Sequence, residues 1–435
     1  MSSRTIRIGL VGCGVVGTGA LDILRSHAAK IERRLGATLV VEQIAVRNLS
    51  RKRADFVPRE LLTDDPFAVA RNPNVDIVVE VMGGIEPAEQ VLREALERGK
   101  QVVTANKALL AEKGDALFDL ARQKGLDLHF EAAVAGGIPI IRAIEQSLAS
   151  DEILSIQGII NGTSNYILTE MAERGLDFDV ALRSAQEAGF AEADPTLDIN
   201  GVDAAHKLAI LATLAFGVRV HPAHIRTEGI EIVDAFDIEY ADGFDYAIRP
   251  LAIASRSDDD VLDLRVHPAL VPLDNPLAHI TGALNAVSVR GERVGTCLLS
   301  GPGAGAGPTA TSIVSDVIDV ARNMLKDASG RVRSFIHDEN AEPNVQDSGD
   351  LQSRYYLRFT VRDEPGVLSD ITGKLSASGI SIEKMFQNVE AGGTGAATVV
   401  ILSHQAKDRA LRNALSQIDP LPHTLAPTRL LRILS

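Results

Sequence analysis

The first 130 residues alternate short apolar runs with longer stretches in which apolar residues recur every three or four positions. The short runs predict strands and the longer stretches predict amphipathic helices. This alternation is typical of a parallel sheet wound by crossover helices, a Rossmann-like doubly wound fold. The predicted strands are Ile6–Val11, Leu39–Val46, Ile77–Val81, Gln101–Thr104 and Leu126–Phe130, and the predicted helices include Thr18–Leu35 and Pro87–Arg98.

The pattern changes beyond this region, which predicts further domains. Residues 135–308 mix long helices with strands and predict an α+β domain for substrate binding and dimerisation. The end of that domain is glycine-rich and leads into an amphipathic helix at 309–325, which we expect to return to the first domain, residues 1–134. The polar stretch 326–353 lacks periodicity and predicts a linker.

Residues 354–435 predict a separate small domain. The order of strand, helix, strand, strand, helix and strand is the split βαββαβ arrangement of ferredoxin-like domains, with a hairpin at Gly392-Gly393. The same order also builds RNA-binding domains, but their aromatic motif and basic face are missing from the sequence.

Composition narrows the classes of function. The chain has 435 residues and a formal net charge of −14, and no basic stripe marks a nucleic-acid or anionic-membrane binder. The N-terminus lacks the regions of a signal peptide, no apolar run reaches membrane-spanning length, and two cysteines are too few for a disulfide framework. We therefore expect a cytoplasmic protein whose partners are small molecules.

The first predicted strand runs into a glycine turn, Gly12-x-Gly14-x-x-Gly17, which opens a helix. Gly12 permits the tight turn, Gly14 lets the backbone approach a pyrophosphate, and Gly17 lets the helix close on the sheet. Free amides at the helix start suit an anion, so Val15 and Val16 join the predicted dinucleotide site. A purely structural strand-to-helix turn is the alternative.

The end of the second predicted strand bears on the choice of cofactor. An acid that binds the ribose of NAD is common there, but this chain has Arg47, followed by the basic residues 51–53. An arginine can pair with a 2′-phosphate, so the sequence favours NADP, with NAD still possible. A solvated basic turn is an equal interpretation of residues 51–53.

Two lysines are candidates for chemistry. Thr104 ends a predicted strand and Lys107 follows it, at the edge where parallel sheets bind ligands, although an ordinary surface lysine is the alternative. Lys207 lies four residues after Asp203 on a helix that is apolar nearly all round. Burial lowers the pKa of a lysine and prepares it for acid–base work at a carbonyl or carbinol oxygen.

Carboxylates precede the second lysine. Glu192, Asp198 and Asp203 are candidates to hold a substrate ammonium group. A solvated loop and a divalent metal cluster are the alternatives, and the neighbouring His206 fits a satisfied buried histidine better than a catalyst.

At these residues the chain resembles homoserine dehydrogenases, which interconvert aspartate 4-semialdehyde and homoserine with NAD(P)H. The similarity spans roughly residues 5–325. The motifs that carry it are Gly12-Cys-Gly14-Val-Val-Gly17, Thr104-Ala-Asn-Lys107, Glu131-Ala-Ala-Val134-Ala-Gly136-Gly-Ile138-Pro139, Asn161-Gly-Thr163-Ser-Asn165-Tyr166 and the stretch Glu192 to Lys207.

The resemblance implies roles for these residues and a place in threonine and methionine biosynthesis. Lys207 would be the principal acid–base lysine and Lys107 would assist proton transfer. Glu192 and Asp203 would bind the substrate amino group with Asp198 beside them, and Gly303 would line the cofactor pocket. The family also implies a monovalent cation, sodium, held by Glu131 and the carbonyls of Val134, Gly136 and Ile138.

The C-terminal region is similar to ACT domains, which are amino-acid-sensing modules that pair through their sheets. The similarity rests on Asp363-Glu-Pro365-Gly366-Val367-Leu368 and on Ser378-Gly379-Ile-Ser-Ile382. It implies threonine as an effector, near the helix start at Gly366, and a homo-dimer or homo-tetramer. A domain that only dimerises is the alternative.

Two other functions remain open from the sequence. One is a non-catalytic amino-acid sensor on a dinucleotide-binding scaffold, against which both lysines and the nearby acids count. The other is a different Rossmann semialdehyde or imine reductase, in which the Glu192 to Lys207 stretch is not expected.

Overall fold

The computed structural model describes residues 4–335, 342–389 and 395–434. The strands are β1 (Arg4–Val11), β2 (Ala37–Ala45), β3 (Leu62–Thr63), β4 (Ile77–Glu80), β5 (Gln101–Thr104), β6 (Leu128–His129), β7 (Ile153–Ile159), β8 (Arg226–Thr227), β9 (Tyr246–Arg256), β10 (Leu262–Pro272), β11 (Leu284–Gly291), β12 (Gly295–Pro302), β13 (Gln352–Arg362), β14 (Ile382–Val389), β15 (Ala396–Ser403), β16 (Ala406–Lys407) and β17 (Thr424–Ile433). The helices are α1 (Val15–Ser26), α2 (Ala28–Leu35), α3 (Pro66–Arg71), α4 (Ala88–Glu97), α5 (Lys107–Lys124), α6 (Ile140–Arg142), α7 (Gly162–Arg174), α8 (Phe178–Glu187), α9 (Thr196–Ile199), α10 (Val202–Phe216), α11 (Ala235–Gly243), α12 (Ala306–Leu325), α13 (Val367–Ala377) and α14 (Asp408–Ile418).

The chain forms two compact units. The first contains residues 1–160, 203–224 and 284–343, and the second contains residues 161–202, 225–283 and 344–435. Each unit therefore combines segments that lie far apart along the chain.

The first unit is built on a parallel sheet with the strand order β3-β2-β1-β4-β5-β6. This order confirms the Rossmann-like prediction, because the chain reverses direction beside β1 after winding outwards. β4 and β5 are fully buried, as expected for strands covered by helices on both faces. In the same unit, β11 pairs antiparallel with β7 and with β12.

Two helices complete the core of this unit. α12 packs on α1, and Ile313, Val317 and Val320 join the buried cluster beneath the sheet. A side chain at Gly19 would meet the carbonyl of Ala306 at 2.8 Å, so glycine permits this close approach.

The predicted single helix at 18–35 is instead two helices, α1 and α2. His27 adopts a non-helical backbone between them, and α2 ends where Gly36 takes a left-handed conformation with φ 76°. The apolar spacing continues through the break, which is why the sequence pattern does not show it.

The second unit contains the predicted βαββαβ domain, and its element order is confirmed. β13 pairs antiparallel with β15 and β17, and β14 pairs antiparallel with β15. The predicted Gly392-Gly393 hairpin lies outside the described residues. β17 also pairs in parallel with β10, so this sheet continues into earlier segments of the chain.

Both faces of the C-terminal sheet are buried within the second unit. Tyr355, Leu357 and Phe359 pack with α13 and α14 in one cluster. Tyr356 and Leu402, on the opposite face, pack in another cluster with α7, α8 and α11.

Candidate active site

The glycine turn lies between β1 and α1. Gly12 has φ 106°, and a side chain there would come within 2.6 Å of the Val81 carbonyl. A side chain at Gly17 would lie 2.3 Å from the Gly12 carbonyl, so both positions exclude any larger residue. Nothing lies within 4 Å of the corresponding position at Gly14, which leaves room for a ligand against the backbone.

The start of α1 fits the pyrophosphate of a dinucleotide. Gly14 provides no capping side chain, the first turn carries no acidic residue, and Val15 is 71% exposed. Backbone amides at such a helix start face solvent and bind anions.

Arg47 lies just beyond β2, and its side chain is exposed. No ion pair of Arg47 occurs within the described ranges. The neighbouring Arg53 folds back instead, donating hydrogen bonds to the carbonyls of Arg51 (2.9 Å) and Asn48 (2.7 Å). Arg47, like the exposed Arg51 and Lys52, is therefore available to a phosphate, while Arg53 shapes the turn.

A cavity of about 250 Å³ lies beyond the carboxyl ends of β4 and β5. Its walls include Val16 in the first turn of α1 and the glycine-rich segment before α12, and both candidate lysines reach it. The lining residues are Val16, Glu80, Val81, Gly83, Ala105, Asn106, Lys107, Ala132, Ala133, Ala135, Gly136, Lys207, Gly303, Ala304 and Thr309.

One carboxylate joins the two lysines. Lys207 Nζ donates to Asp203 Oδ2 at 2.7 Å and to the Ile160 carbonyl at 2.7 Å, and its side chain is 12% exposed. Lys107 Nζ lies 3.1 Å from Asp203 Oδ1. The structure therefore brings together three of the residues that the sequence singled out, although only the Asp203–Lys207 pair is visible as a spacing of four on a helix.

His206 is occupied by a structural contact. Its Nε2 lies 3.5 Å from Glu112 Oε1, and burial lowers the pKa of the imidazole. Glu112 also lies 2.9 Å from His221 Nε2.

Glu80 and Asn106 also belong to the cavity wall, and sequence reasoning missed both. Glu80 Oε2 accepts from the Thr104 hydroxyl at 2.6 Å, and Oε1 accepts from the Met82 and Gly83 amides at 2.8 and 3.2 Å. Asn106 caps α5 and donates to the Gly84 carbonyl at 2.6 Å. A carboxylate ending an otherwise apolar strand is the signal that would have indicated Glu80.

The loop after β6 holds the predicted cation ligands. Glu131 is buried, and its carboxylate accepts from the amides of Ile141 (2.8 Å) and Arg142 (3.0 Å). Burial and the nearby Asp316 raise the pKa of Glu131 to about 7. Ala135 (φ 53°) and Gly136 (φ 49°) are both left-handed, which turns successive carbonyls of the loop in unusual directions.

Two predicted substrate ligands lie in the second unit. Asp198 Oδ1 accepts from Asn161 Nδ2 at 2.7 Å, and the Glu192 side chain is exposed. Their predicted roles stay predictions.

Two negative findings concern the described parts of the chain. They contain no cluster of three or more His, Cys, Asp or Glu side chains placed to hold a metal ion. Among the helices of these parts, none is both long and apolar enough to cross a bilayer.

A Rossmann sheet whose nucleotide turn and paired lysines meet in one cavity is the arrangement of a dinucleotide-dependent oxidoreductase. Comparison with known families gives three matches. Residues 12–131 match the NAD-binding domain of homoserine dehydrogenase, residues 139–318 match homoserine dehydrogenase, and residues 355–420 match the ACT domain.

Individual proteins agree with these matches. Homoserine dehydrogenases of Pseudomonas aeruginosa and Bacillus subtilis are 41% and 40% identical, and the alignments cover 99% and 96% of both chains. The crystal structure of a homoserine dehydrogenase from Thiobacillus denitrificans superposes with a TM-score of 0.92, at 42% identity, over 100% of this chain and 99% of that one. A hyperthermophilic archaeal homoserine dehydrogenase in complex with NADPH matches with a TM-score of 0.63, at 28% identity, over 74% of this chain and 98% of that one.

The chain belongs to the homoserine dehydrogenase family. It is an oxidoreductase that acts on a CH–OH group with a nicotinamide cofactor, and it carries a C-terminal ACT domain. The alternative of a non-catalytic sensor is therefore wrong.

Proposed function

We propose that the chain interconverts L-aspartate 4-semialdehyde and L-homoserine, with Lys207 exchanging the proton at the reacting oxygen. The observation that carries the proposal is the Lys207–Asp203–Lys107 cluster in the wall of the cofactor cavity. A bound nicotinamide supplies or accepts the hydride. The side chains orient the substrate, and the two ammonium groups stabilise negative charge on its oxygen.

The acids also have proposed roles. Asp203 contacts both lysines, which supports a role in orienting them, and we propose that it also faces the substrate amino group. The family resemblance is the support for Glu192 and Asp198 as further ligands of that amino group. Lys107, whose side chain is more exposed than that of Lys207, assists proton transfer.

One assay tests the proposal. Purified protein is mixed with NADPH and aspartate semialdehyde, and the loss of NADPH absorbance is followed. Lys207→Met should lower kcat by about 10²- to 10⁴-fold, the usual contribution of a general acid. Lys113→Met is the matched control, because Lys113 lies on α5 and pairs with Glu86 and Glu89 instead. Absence of turnover by the natural protein, or an unchanged rate for Lys207→Met, would contradict the proposal.

We also propose NADP as the preferred cofactor, recognised through Arg47. An exposed guanidinium at the end of β2 supports it, as does the NADPH bound by the archaeal relative.

A monovalent cation, sodium, is a further part of the proposal. Glu131 and the carbonyls of Val134, Gly136 and Ile138 would hold it. The support is a buried carboxylate with a raised pKa beside two left-handed residues. Melting the protein in sodium chloride and in choline chloride tests the site. Sodium should stabilise the natural protein and leave Glu131→Gln unaffected.

We assign amino-acid regulation by threonine to the ACT domain. Gly366 has φ 95° and precedes α13 without a capping side chain, which leaves amides for a carboxylate. We further propose a homo-dimer or homo-tetramer, because β14 is an edge strand with Met385 and Phe386 half exposed. Calorimetry with threonine tests the effector, and light scattering tests the oligomer. An oligomer that does not bind threonine would leave dimerisation as the role of the domain.

A further inference from the structure

A buried carboxylate lies in the wall of the cofactor cavity and has no cationic partner among the residues that the structure describes. Glu80, the last residue of β4, is 0% exposed. Its hydrogen-bond donors are the Thr104 hydroxyl, the amides of Met82 and Gly83 and the Asn106 side-chain amide, all of them neutral. Among the described residues, no lysine, arginine or histidine forms an ion pair with it. The two cavity lysines are bonded to Asp203 instead.

Hydrogen bonding alone does not explain a charge at this position. A glutamine would accept from both backbone amides through Oε1 and donate through Nε2 to the Thr104 oxygen, since a hydroxyl can turn to accept; the Asn106 side-chain amide is the donor that it would leave unmatched. Such a neutral side chain would hold the same loop without the cost of burying an unpaired charge. An acid in place of an amide at this position therefore indicates an interaction with a positive group that the described residues do not supply.

The fold indicates what that positive group is. The adenosine half of a dinucleotide lies over the β2 side of a Rossmann sheet, so the nicotinamide half lies over β4 and β5. Glu80 and Thr104 end these two strands, and Lys107 follows the second. When the substrate aldehyde carbon gains a hydride and its oxygen gains a proton, the ring that gave the hydride is left with one positive charge.

We propose that Glu80 is an electrostatic positioning residue that stabilises the oxidised, cationic nicotinamide relative to the reduced, neutral one. It acts through the field of its carboxylate, which a low-dielectric wall screens weakly. Its hydrogen bonds also hold the loop of residues 81–84 and the Thr104 side chain, so that the carboxylate and the surrounding cavity wall keep a single conformation.

Two variants separate charge from shape. Glu80→Gln removes the charge and keeps the size and the contacts to the two backbone amides, whereas Glu80→Asp keeps the charge and shortens the side chain. The dissociation constants of NADP⁺ and NADPH are measured by calorimetry for the natural protein and both variants, with circular dichroism as the check of folding.

The proposal predicts that Glu80→Gln raises the ratio of the NADP⁺ to the NADPH dissociation constant by about tenfold or more, from a charge several ångströms from the ring. Glu80→Asp should weaken both cofactors together and leave the ratio within twofold. An unchanged ratio in Glu80→Gln, or an equal change in both variants, overturns the proposal. If Glu80→Gln does not fold, the ratio in Glu80→Asp decides, and a change of fivefold or more overturns it.

This test is independent of the proposed substrate. It measures the dissociation constants of the two cofactors without any substrate, whereas the semialdehyde assay measures turnover. Failure of the Glu80 proposal would therefore leave the assignment of the lysines intact.

Discussion

A buried ion pair joins β13 to α11 within the second unit, and its removal is the stability change that the structure predicts best. Asp237 is 0% exposed and accepts from Arg358 Nε at 2.7 Å and from the Tyr356 hydroxyl at 3.0 Å. Its second oxygen accepts from Arg358 Nη2 at 3.3 Å and from the Asp234 amide at 3.2 Å. Asp237→Asn keeps one acceptor but turns an NH₂ group towards the other two donors.

The expected cost follows from what remains buried. Arg358, with 10% of its side chain exposed, would lose its fully buried counter-charge. Removing one partner of a buried pair costs about 3–5 kcal/mol when the other charge is left uncompensated, and the half-exposed Asp234 carboxylate, which also pairs with Arg358, puts the expected loss at the lower end of that range. Asp234→Asn is the matched control. Its side chain is 39% exposed, and asparagine caps a helix about as well as aspartate, so its loss should stay below about 1 kcal/mol.

Urea titration followed by circular dichroism measures both variants, since the chain contains no tryptophan to report by fluorescence. The double variant Asp237→Leu/Arg358→Met should recover most of the loss, because an apolar pair of similar volume removes both buried charges. A loss below about 1 kcal/mol for Asp237→Asn, or equal losses for both single variants, would refute the reasoning.

Three further predictions concern the first unit. Burial raises the pKa of Glu145 to about 7 from an ordinary 4.5, so the folded protein binds this proton more tightly than the unfolded chain, and stability falls as pH rises through that window. Glu145→Gln should remove about 3 kcal/mol of that fall, measured as the difference in stability between melts at pH 5 and pH 8. The same dependence of stability on pH in the variant and the natural protein would contradict this expectation. Gly17→Ala should destabilise the protein even without cofactor, because its methyl group meets the Gly12 carbonyl, whereas Gly14→Ala should melt normally and bind NADPH at least about tenfold more weakly; equal melting of both variants would be the contrary result. Arg47→Ala should weaken NADPH about tenfold and leave NADH unchanged in calorimetry, and an equal loss for both would show that Arg47 does not read the 2′-phosphate.

The nucleotide half of the fold was predictable because its signals are local. A glycine turn between a strand and a helix is contained in a few residues, and the strand order of the sheet follows from the alternation that surrounds it. The break at His27 was not predictable, since the apolar spacing continues across it.

The site was predictable only as separate pieces. The spacing of Asp203 and Lys207 predicts their contact, but Lys107 reaches the same carboxylate from a distant part of the chain. Glu80 depends on Thr104 and on a loop whose conformation no spacing encodes. Such partners are set by tertiary packing, which a single sequence does not report.

The burial of both faces of the C-terminal sheet also depends on tertiary packing. β13 alternates like a strand with one face in solvent: Tyr355, Leu357 and Phe359 lie on one face, and Arg354 and Arg358 flank Tyr356 on the other. The structure nevertheless buries the Tyr356 face against α11, where Arg358 pairs with Asp237. The charge pair that allows this burial joins residues far apart along the chain, so the strand pattern alone did not predict it.

The charges around the cavity explain why two lysines and one nearby acid occur together. Lys107 and Lys207 both contact the carboxylate of Asp203, and in the proposed reaction their ammonium groups stabilise the oxygen that gains negative charge as a hydride arrives at its carbon. In the proposals made above, the Glu80 carboxylate stabilises the positive ring, and the ammonium groups of Lys107 and Lys207 stabilise the substrate oxygen. Groups of both signs in one cavity wall would match the separation of charge that hydride transfer creates, whereas lysines alone would stabilise the alkoxide but not the oxidised ring.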